Sequence, residues 1–137
     1  MMLVILAISL AAVLVLSLAP PSIFLTRTVQ TRDRLSDLKG AILKYYDDHG
    51  GFYPVLLDLL VLDEGIPCEI DNDPGSPTYQ KLQGWCGPYL DPVFAEDAND
   101  FQTDGWGTLF EYDPLTGAMN SCGPDLSCGN GDDIADP

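Results

Sequence analysis

MLVILAISLAAVLVLSLA, residues 2–19, lies within an opening segment, residues 1–26, that carries no charged side chain. As a helix with a rise of ~1.5 Å per residue, about 20 such residues cross the ~30 Å hydrocarbon core of a bilayer. A helix buried among other helices must likewise be apolar on all sides. The sequence therefore predicts a hydrophobic helix over residues 1–26 that either spans a membrane or packs inside an assembly.

A cleaved secretory signal is the third interpretation of this segment. Such a signal has a basic start, a short apolar region and a small-residue cleavage site. Ser17-Leu18-Ala19 is an acceptable cleavage site, but no basic residue precedes the apolar run, and the run is long. These two features favour a segment that remains part of the protein.

Charge is distributed unevenly over the rest of the chain, which has 21 acidic and 6 basic residues. Five of the bases lie within residues 27–44, and from Tyr45 onward Lys81 is the only base. Nineteen of the 21 acids lie from Tyr45 onward, because only Asp33 and Asp37 precede it. An acidic surface of this kind repels phosphate backbones, so we expect no nucleic-acid partner.

Four cysteines in a region of about 110 residues, none in a CxxC motif, favour two disulfides over a metal site or free thiols. Three pairings are possible. We prefer Cys68–Cys86 and Cys122–Cys128, because each closes a local loop rich in Gly and Pro. Disulfides place the region outside the cytoplasm. The basic residues after the apolar segment favour the opposite orientation, and we give the cysteines more weight.

The pattern from Thr28 to His49 is that of an amphipathic helix. Pro20-Pro21 predicts a kink before it, and Gly50-Gly51 predicts its end. One long, bent helix is therefore expected over much of residues 1–49, with residues 27–49 belonging to a head, residues 27–137. Apolar side chains recur at helical spacing, at Val29, Leu35, Leu38, Ile42 and Tyr45.

The remainder of the head predicts short elements. A helix is expected over Val55–Leu62, with Leu56, Leu59 and Leu60 on one face, followed by a loop over residues 64–88. Trp106–Tyr112 and Ala118–Ser121 predict two strands joined by a turn at residues 113–117, and the tail from Cys122 predicts a loop. The fold class is therefore α+β: a long N-terminal hydrophobic helix packed on a small antiparallel sheet, with a disulfide-closed, Gly-rich C-terminal loop.

Four segments occur in this order along the chain: residues 48–54 (DHGGFYP), 87–90 (GPYL), 104–112 (DGWGTLFEY), and 121–125 (SCGPD) with 131–133 (GDD). They are similar to the motifs D-N-G-x-Y-P, G-x-Y-L, D-P-W-G-x-x-[YF]-x-Y, and S-L-G-A-D followed by G-D-D, the first with one extra residue here. In this order the motifs resemble those of the type IV pilin superfamily, and most closely those of the major pseudopilin of type II secretion systems.

The resemblance implies a filament subunit that waits in the inner membrane, is handled by secretion or pilus assembly machinery, and polymerises into a periplasmic or extracellular filament. Two departures stand out: the family's basic leader and its Glu at the fifth mature position are not seen, and the cysteine pairs are not general in the family. The fifth residue here is Ile5. The implied contacts between copies come from the hydrophobic helix, at Leu3, Ile5, Leu6, Leu10, Val13 and Leu14.

The resemblance also implies a structural Ca²⁺ in the tail, with Asp125, Asp132 and Asp133 as ligands. Ca²⁺ takes six to eight oxygen ligands, and a Gly-rich loop offers carboxylates together with free carbonyls. The residues alone fit ordinary solvated acids as well. The spacing is not that of a helix-loop-helix calcium site, since no Glu closes the stretch after Asp125.

We expect no enzymatic activity. His49, the only histidine, lies at the predicted helix end beside two glycines, which is a usual place for a capping residue. No serine lies in a nucleophile-elbow context. The alternative to a filament subunit is a monomeric secreted or membrane-anchored extracytoplasmic domain with a binding or adhesive role.

Overall fold

The computed structural model describes residues 21–90 and 100–136. Residues 1–20 of the hydrophobic helix predicted over residues 1–26 lie outside the described residues, and so do its six proposed contact residues and the first proline of the kink predicted at Pro20-Pro21. Among the described residues, no helix combines the length and the apolar character that crossing a bilayer requires.

Helix α1 covers Pro21–Asp48 and is the longest element of the described chain. It ends where the sequence predicts, because Gly50 and Gly51 both adopt positive φ, at 65° and 93°. Glycine populates this region at no steric cost, which makes it the usual residue after a helix C-terminus. The amide of Gly51 donates to the carbonyl of Tyr46 at 2.9 Å and so satisfies one of the last helical acceptors.

The buried face of α1 follows the predicted pattern at four of five positions, and the prediction for Val29 is wrong. Val29 is 56% exposed, whereas Thr31 is fully buried. Residues two apart on a helix lie about 200° apart around its axis, so Thr31 and Val29 occupy opposite sides. The buried side chains of the predicted set are Leu35, Leu38, Ile42 and Tyr45.

The short helix predicted over Val55–Leu62 is a 3₁₀ helix that covers Leu57–Leu60. In a 3₁₀ helix residues three apart eclipse each other, so Leu57 and Leu60 point to the same side and are both buried. Leu56, Leu59 and Leu60 were predicted to share one face, but Leu56 is exposed and Leu59 only partly buried.

Residues 64–88, predicted as loop, contain a two-stranded antiparallel ribbon. Strand β1, Glu69–Ile70, pairs with strand β2, Leu82–Gln83, with Ile70 opposite Leu82. The Cys68–Cys86 disulfide closes the base of this ribbon. Two-residue strands carry too little alternation to be read from sequence, and the prolines and glycines around them indicate only turns.

A three-stranded antiparallel sheet has the order β3–β4–β5, formed by Glu111–Asp113, Ala118–Ser121 and Ile134–Ala135. The predicted turn at residues 113–117 joins β3 to β4. The predicted strand over Trp106–Tyr112 is wrong in its first half, because residues 105–107 form a turn. The tail was predicted to be loop throughout, but it returns to pair Ile134 with Ser121.

The core lies between α1, the 3₁₀ helix and β4, with short segments that include a second 3₁₀ helix, Asp100–Gln102, around it. One long helix packed on small antiparallel sheets, with two disulfides, is the α+β class that the sequence predicts. The core side chains are Leu35, Leu38, Ala41, Ile42, Tyr45, Leu57, Leu60, Leu90, Phe101, Phe110 and Met119.

Candidate functional site

The loop between Cys122 and Asp133 is the predicted calcium site. The Cys122–Cys128 disulfide closes its first half, so both cysteine pairs in the structure are those preferred from the sequence. Gly123 has φ of 68°, and a Cβ at this position would come within 2.3 Å of the Asp132 carbonyl oxygen. Only glycine fits there, and this close approach brings the two ends of the loop together.

All three predicted ligands accept hydrogen bonds from the loop itself. Asp125 Oδ1 accepts from the Ser127 amide at 2.8 Å, and its Oδ2 accepts from Asn130 Nδ2 at 2.8 Å. Asp132 Oδ2 accepts from the Asp125 amide at 3.3 Å. Carboxylates held in this way are oriented within the loop, and each oxygen keeps a second lone pair.

Asp133 differs from the other two. Its Oδ2 accepts from the Gly129 amide at 2.7 Å, whereas its Oδ1 is buried and has no hydrogen-bond donor among the described residues. A buried acceptor without a donor is costly, and a cation is one group that satisfies it. The fit to calcium is partial, because the three carboxylates do not bring ligand atoms within 4.8 Å of one another as a group.

Glu111, Cys122 and Cys128 are the one set of three potential ligands that does converge to 4.8 Å among the described residues. Both sulfurs belong to a disulfide. The thiolate is the form of cysteine that binds metals, so this set is not a metal site.

Asp104 organises the loop between the second 3₁₀ helix and β3, a role that was not predicted from the sequence. Its side chain is 2% exposed and accepts three hydrogen bonds. Oδ1 accepts from the amides of Trp106 and Thr108, each at 2.9 Å, and Oδ2 accepts from the Ser121 hydroxyl at 2.7 Å. An Asp before Gly and Trp was the available signal, because Asp side chains commonly hydrogen-bond the backbone two residues on.

The same loop contacts α1 through polar groups. Thr31 Oγ1 donates to the Arg27 carbonyl and accepts from the Gly105 amide, both at 2.8 Å. A Cβ on Gly105 would come within 2.5 Å of the Arg27 carbonyl oxygen, so glycine allows the two backbones to approach. Arg34 donates to the Thr103 carbonyl at 2.8 Å. These contacts explain why Thr31 rather than Val29 is buried.

The first and third segments of the pilin resemblance also contact each other. Tyr112 donates its hydroxyl proton to the Pro54 carbonyl at 2.7 Å. Burial raises the pKa of Tyr112 to about 12. The ring of Tyr53 lies over Gly117, where a Cβ would come within 2.6 Å of the ring. The chain after α1 is thereby attached to the β3–β4 hairpin.

His49 lies beside the last turn of α1, stacked on Tyr45 with ring centroids 3.6 Å apart. Its Nδ1 is 2.9 Å from the Tyr45 carbonyl, an acceptor, so Nδ1 is the donor. Its Nε2 lies 3.1 Å from Glu64 Oε2 but makes no hydrogen bond among the described residues. The same carboxylate oxygen accepts from the Tyr45 hydroxyl at 2.8 Å. Burial, together with the Glu64 hydrogen bond, raises the pKa of Tyr45 well above its ordinary value. His49 thus holds the helix end against the following loop.

Comparison with known proteins adds no relative. No protein-family model matches the chain, and neither a curated protein nor a solved structure matches it. The functional interpretation therefore depends on the chain's own residues and geometry.

Proposed function

We propose that this chain is the structural subunit of a filament of the type IV pilus or type II secretion pseudopilus kind. Copies associate through the hydrophobic segment, residues 1–26, and the acidic heads cover the outside of the filament. In this proposal the chain resides in the inner membrane before assembly, and secretion or pilus assembly machinery then adds it to a periplasmic or extracellular filament. The two disulfides support a location outside the cytoplasm.

The observation that carries the proposal is the uncovered start of α1. Phe24, Leu25 and Val29 are each more than half exposed in the described structure, although they are large apolar side chains on a regular helix. Phe24 and Leu25 belong to the uncharged segment, residues 1–26, and Val29 lies just beyond it, after Arg27. Burial of apolar surface contributes about 25 cal/mol per Å², so association with other copies through this end of the helix is favourable.

Association of this kind needs no catalytic residue in the subunit, because the energy for assembly comes from other proteins. The proposal includes a structural Ca²⁺ in the tail loop. The buried Oδ1 of Asp133 supports it, because this oxygen has no hydrogen-bond donor among the described residues. Asp125 and Asp132 would supply the other side-chain oxygens after a small rearrangement of the loop.

A Leu10→Asp substitution tests the proposal, because a buried charge in a filament core is strongly unfavourable. Negative-stain electron microscopy of sheared material should show fibres for the unmodified chain and none for L10D. The matched control is Leu115→Asp, since Leu115 is 87% exposed in the β3–β4 turn. L115D should form fibres normally. Fibres from L10D, or only single-chain species from the unmodified protein, would contradict the proposal and favour a monomeric exported domain.

A further inference from the structure

The β1–β2 ribbon carries an exposed groove of about 520 Å³ that combines apolar and acidic side chains. Ile66 and Ile70 line it together with Glu69 and Asp71, and no basic residue does. Leu82, which pairs with Ile70 across the ribbon, is also about half exposed. The groove therefore suits a ligand surface that presents aliphatic side chains and a positive charge.

The groove is held in shape by several covalent and polar links. The Cys68–Cys86 disulfide closes its base, and Gly84 lies where a Cβ would come within 2.2 Å of the Pro67 carbonyl oxygen. At the turn, Asp71 accepts from the Asp73 amide at 2.9 Å and from the Thr78 hydroxyl at 2.7 Å. A preformed surface loses little conformational entropy on binding, which favours its use as a contact site.

A surface with complementary properties exists on α1 of the same chain. Leu25, Val29 and Arg32 follow one another at spacings of four and three residues, so they form one stripe along the helix. All three are exposed, with Leu25 at 61% and Val29 at 56%. Arg32 has no acidic partner within 4.0 Å among the described residues, whereas Lys39 does, in Asp136.

The groove and the stripe of one molecule cannot meet. The ribbon is attached at the C-terminal end of α1, where the Gly84 amide donates to the Asp48 carbonyl at 2.9 Å. Val29 and Asp48 belong to one helix and are 19 residues apart, or about 28 Å at ~1.5 Å per residue. The partner must therefore be a second copy. When two copies join through two different surfaces, one groove and one stripe stay free at the ends of the pair. Further copies can therefore add at both ends and form an open fibre.

We propose that the β1–β2 groove of one copy binds the Leu25–Val29–Arg32 stripe of the next copy. Ile66 and Ile70 contact the two aliphatic side chains, and Glu69 with Asp71 pairs with the guanidinium of Arg32. This inference rests on the proposed filament and identifies which surfaces of the head join successive subunits. It also gives the disulfide-closed ribbon a function, which the resemblance to pseudopilins does not provide.

Charge exchange in the full chain tests the pairing. Glu69→Arg and Arg32→Glu should each reduce the filament mass in the sheared fraction by about tenfold, because each places like charges together. The double variant E69R/R32E should recover to within about threefold of the unmodified chain, since the opposite charges are restored. Glu111→Arg is the matched control: it reverses an exposed acid outside the groove and should leave filament mass unchanged.

Equal filament mass for both single variants and the unmodified chain would overturn this contact and leave the filament proposal intact. Failure of the double variant to recover would overturn it too, provided its denaturation midpoint equals that of the unmodified protein. If E69R unfolds the head, Glu69→Gln takes its place in the experiment. A smaller loss of filament mass in E69Q that Arg32→Gln restores would support the pairing. Absence of filaments from the unmodified chain would instead reject the proposed function together with this contact.

Discussion

Replacing Asp104 with Ala should destabilise the head more than any other single change at a polar residue of the loop between the second 3₁₀ helix and β3. The carboxylate is buried and accepts hydrogen bonds from two backbone amides and from the Ser121 hydroxyl. Ala removes all three bonds and leaves the amides of Trp106 and Thr108 without their acceptor. The turn formed by these residues also carries the Gly105 contact with α1.

The magnitude follows from these contacts. A hydrogen bond to a charged group contributes roughly 1.5–3 kcal/mol, and bonds to one acceptor are not additive. We therefore expect D104A to lower the free energy of unfolding by about 3–5 kcal/mol, a large part of the ~5–15 kcal/mol typical of a domain. Asp104→Asn keeps one carbonyl oxygen for the two amides, and Ser121 can accept from the new NH₂ group. It should cost about 1–2 kcal/mol.

Chemical denaturation of the full chain in mild detergent, followed by tryptophan fluorescence, measures these values. Asp113→Ala is the matched control, because Asp113 also accepts two local hydrogen bonds, from the Leu115 amide at 2.9 Å and the Thr116 hydroxyl at 2.7 Å, but is exposed. Water replaces those bonds, so the loss should stay below about 1 kcal/mol. A loss below about 1 kcal/mol for D104A, or a loss for D113A as large as that for D104A, would contradict this expectation.

Two further predictions concern calcium and pH. Millimolar Ca²⁺ should raise the melting temperature of the unmodified chain. Asp132→Ala should abolish this rise, and Asp113→Ala should preserve it. No rise in the unmodified chain would reject the calcium site. Tyr45, Tyr89 and Tyr112 should stay protonated at pH 11 in the folded protein, because burial raises the pKa of Tyr89 and that of Tyr112 to about 12 and raises the pKa of Tyr45 further. Tyrosine in the unfolded chain ionises at pH ~10, so the stability that these three protonated tyrosines contribute is present below that pH and is lost as the pH rises through about 12. Ultraviolet titration that shows all six tyrosines ionised at pH 11 in the folded protein would contradict this prediction.

Local signals in the sequence predicted the parts of the fold that local chemistry determines. Gly50-Gly51 gave the end of α1, because positive φ at both positions ends a helix. The turn at residues 113–117 gave the β3–β4 hairpin, in which Asp113 accepts from Leu115 and Thr116. The preferred cysteine pairs also join residues close in sequence, with separations of 18 and 6 residues.

The parts that were not predicted depend on contacts between distant residues. Strand β5 forms only because the tail returns to β4, and nothing within Ile134–Ala135 indicates a strand. Thr31 is buried because Gly105, 74 positions later in the chain, donates to its hydroxyl, whereas hydropathy favours Val29 for the interior. For the same reason, the role of Asp104 follows from Ser121, which the sequence places in a separate strand.

In the proposed filament, the opening apolar segment stays in the mature protein as the contact surface between copies. Intact-mass spectrometry of the native protein tests this most directly. We predict a mature chain that still contains Leu3 through Ala19. A mature terminus at Pro20 or beyond would leave a separate exported head and contradict the filament account.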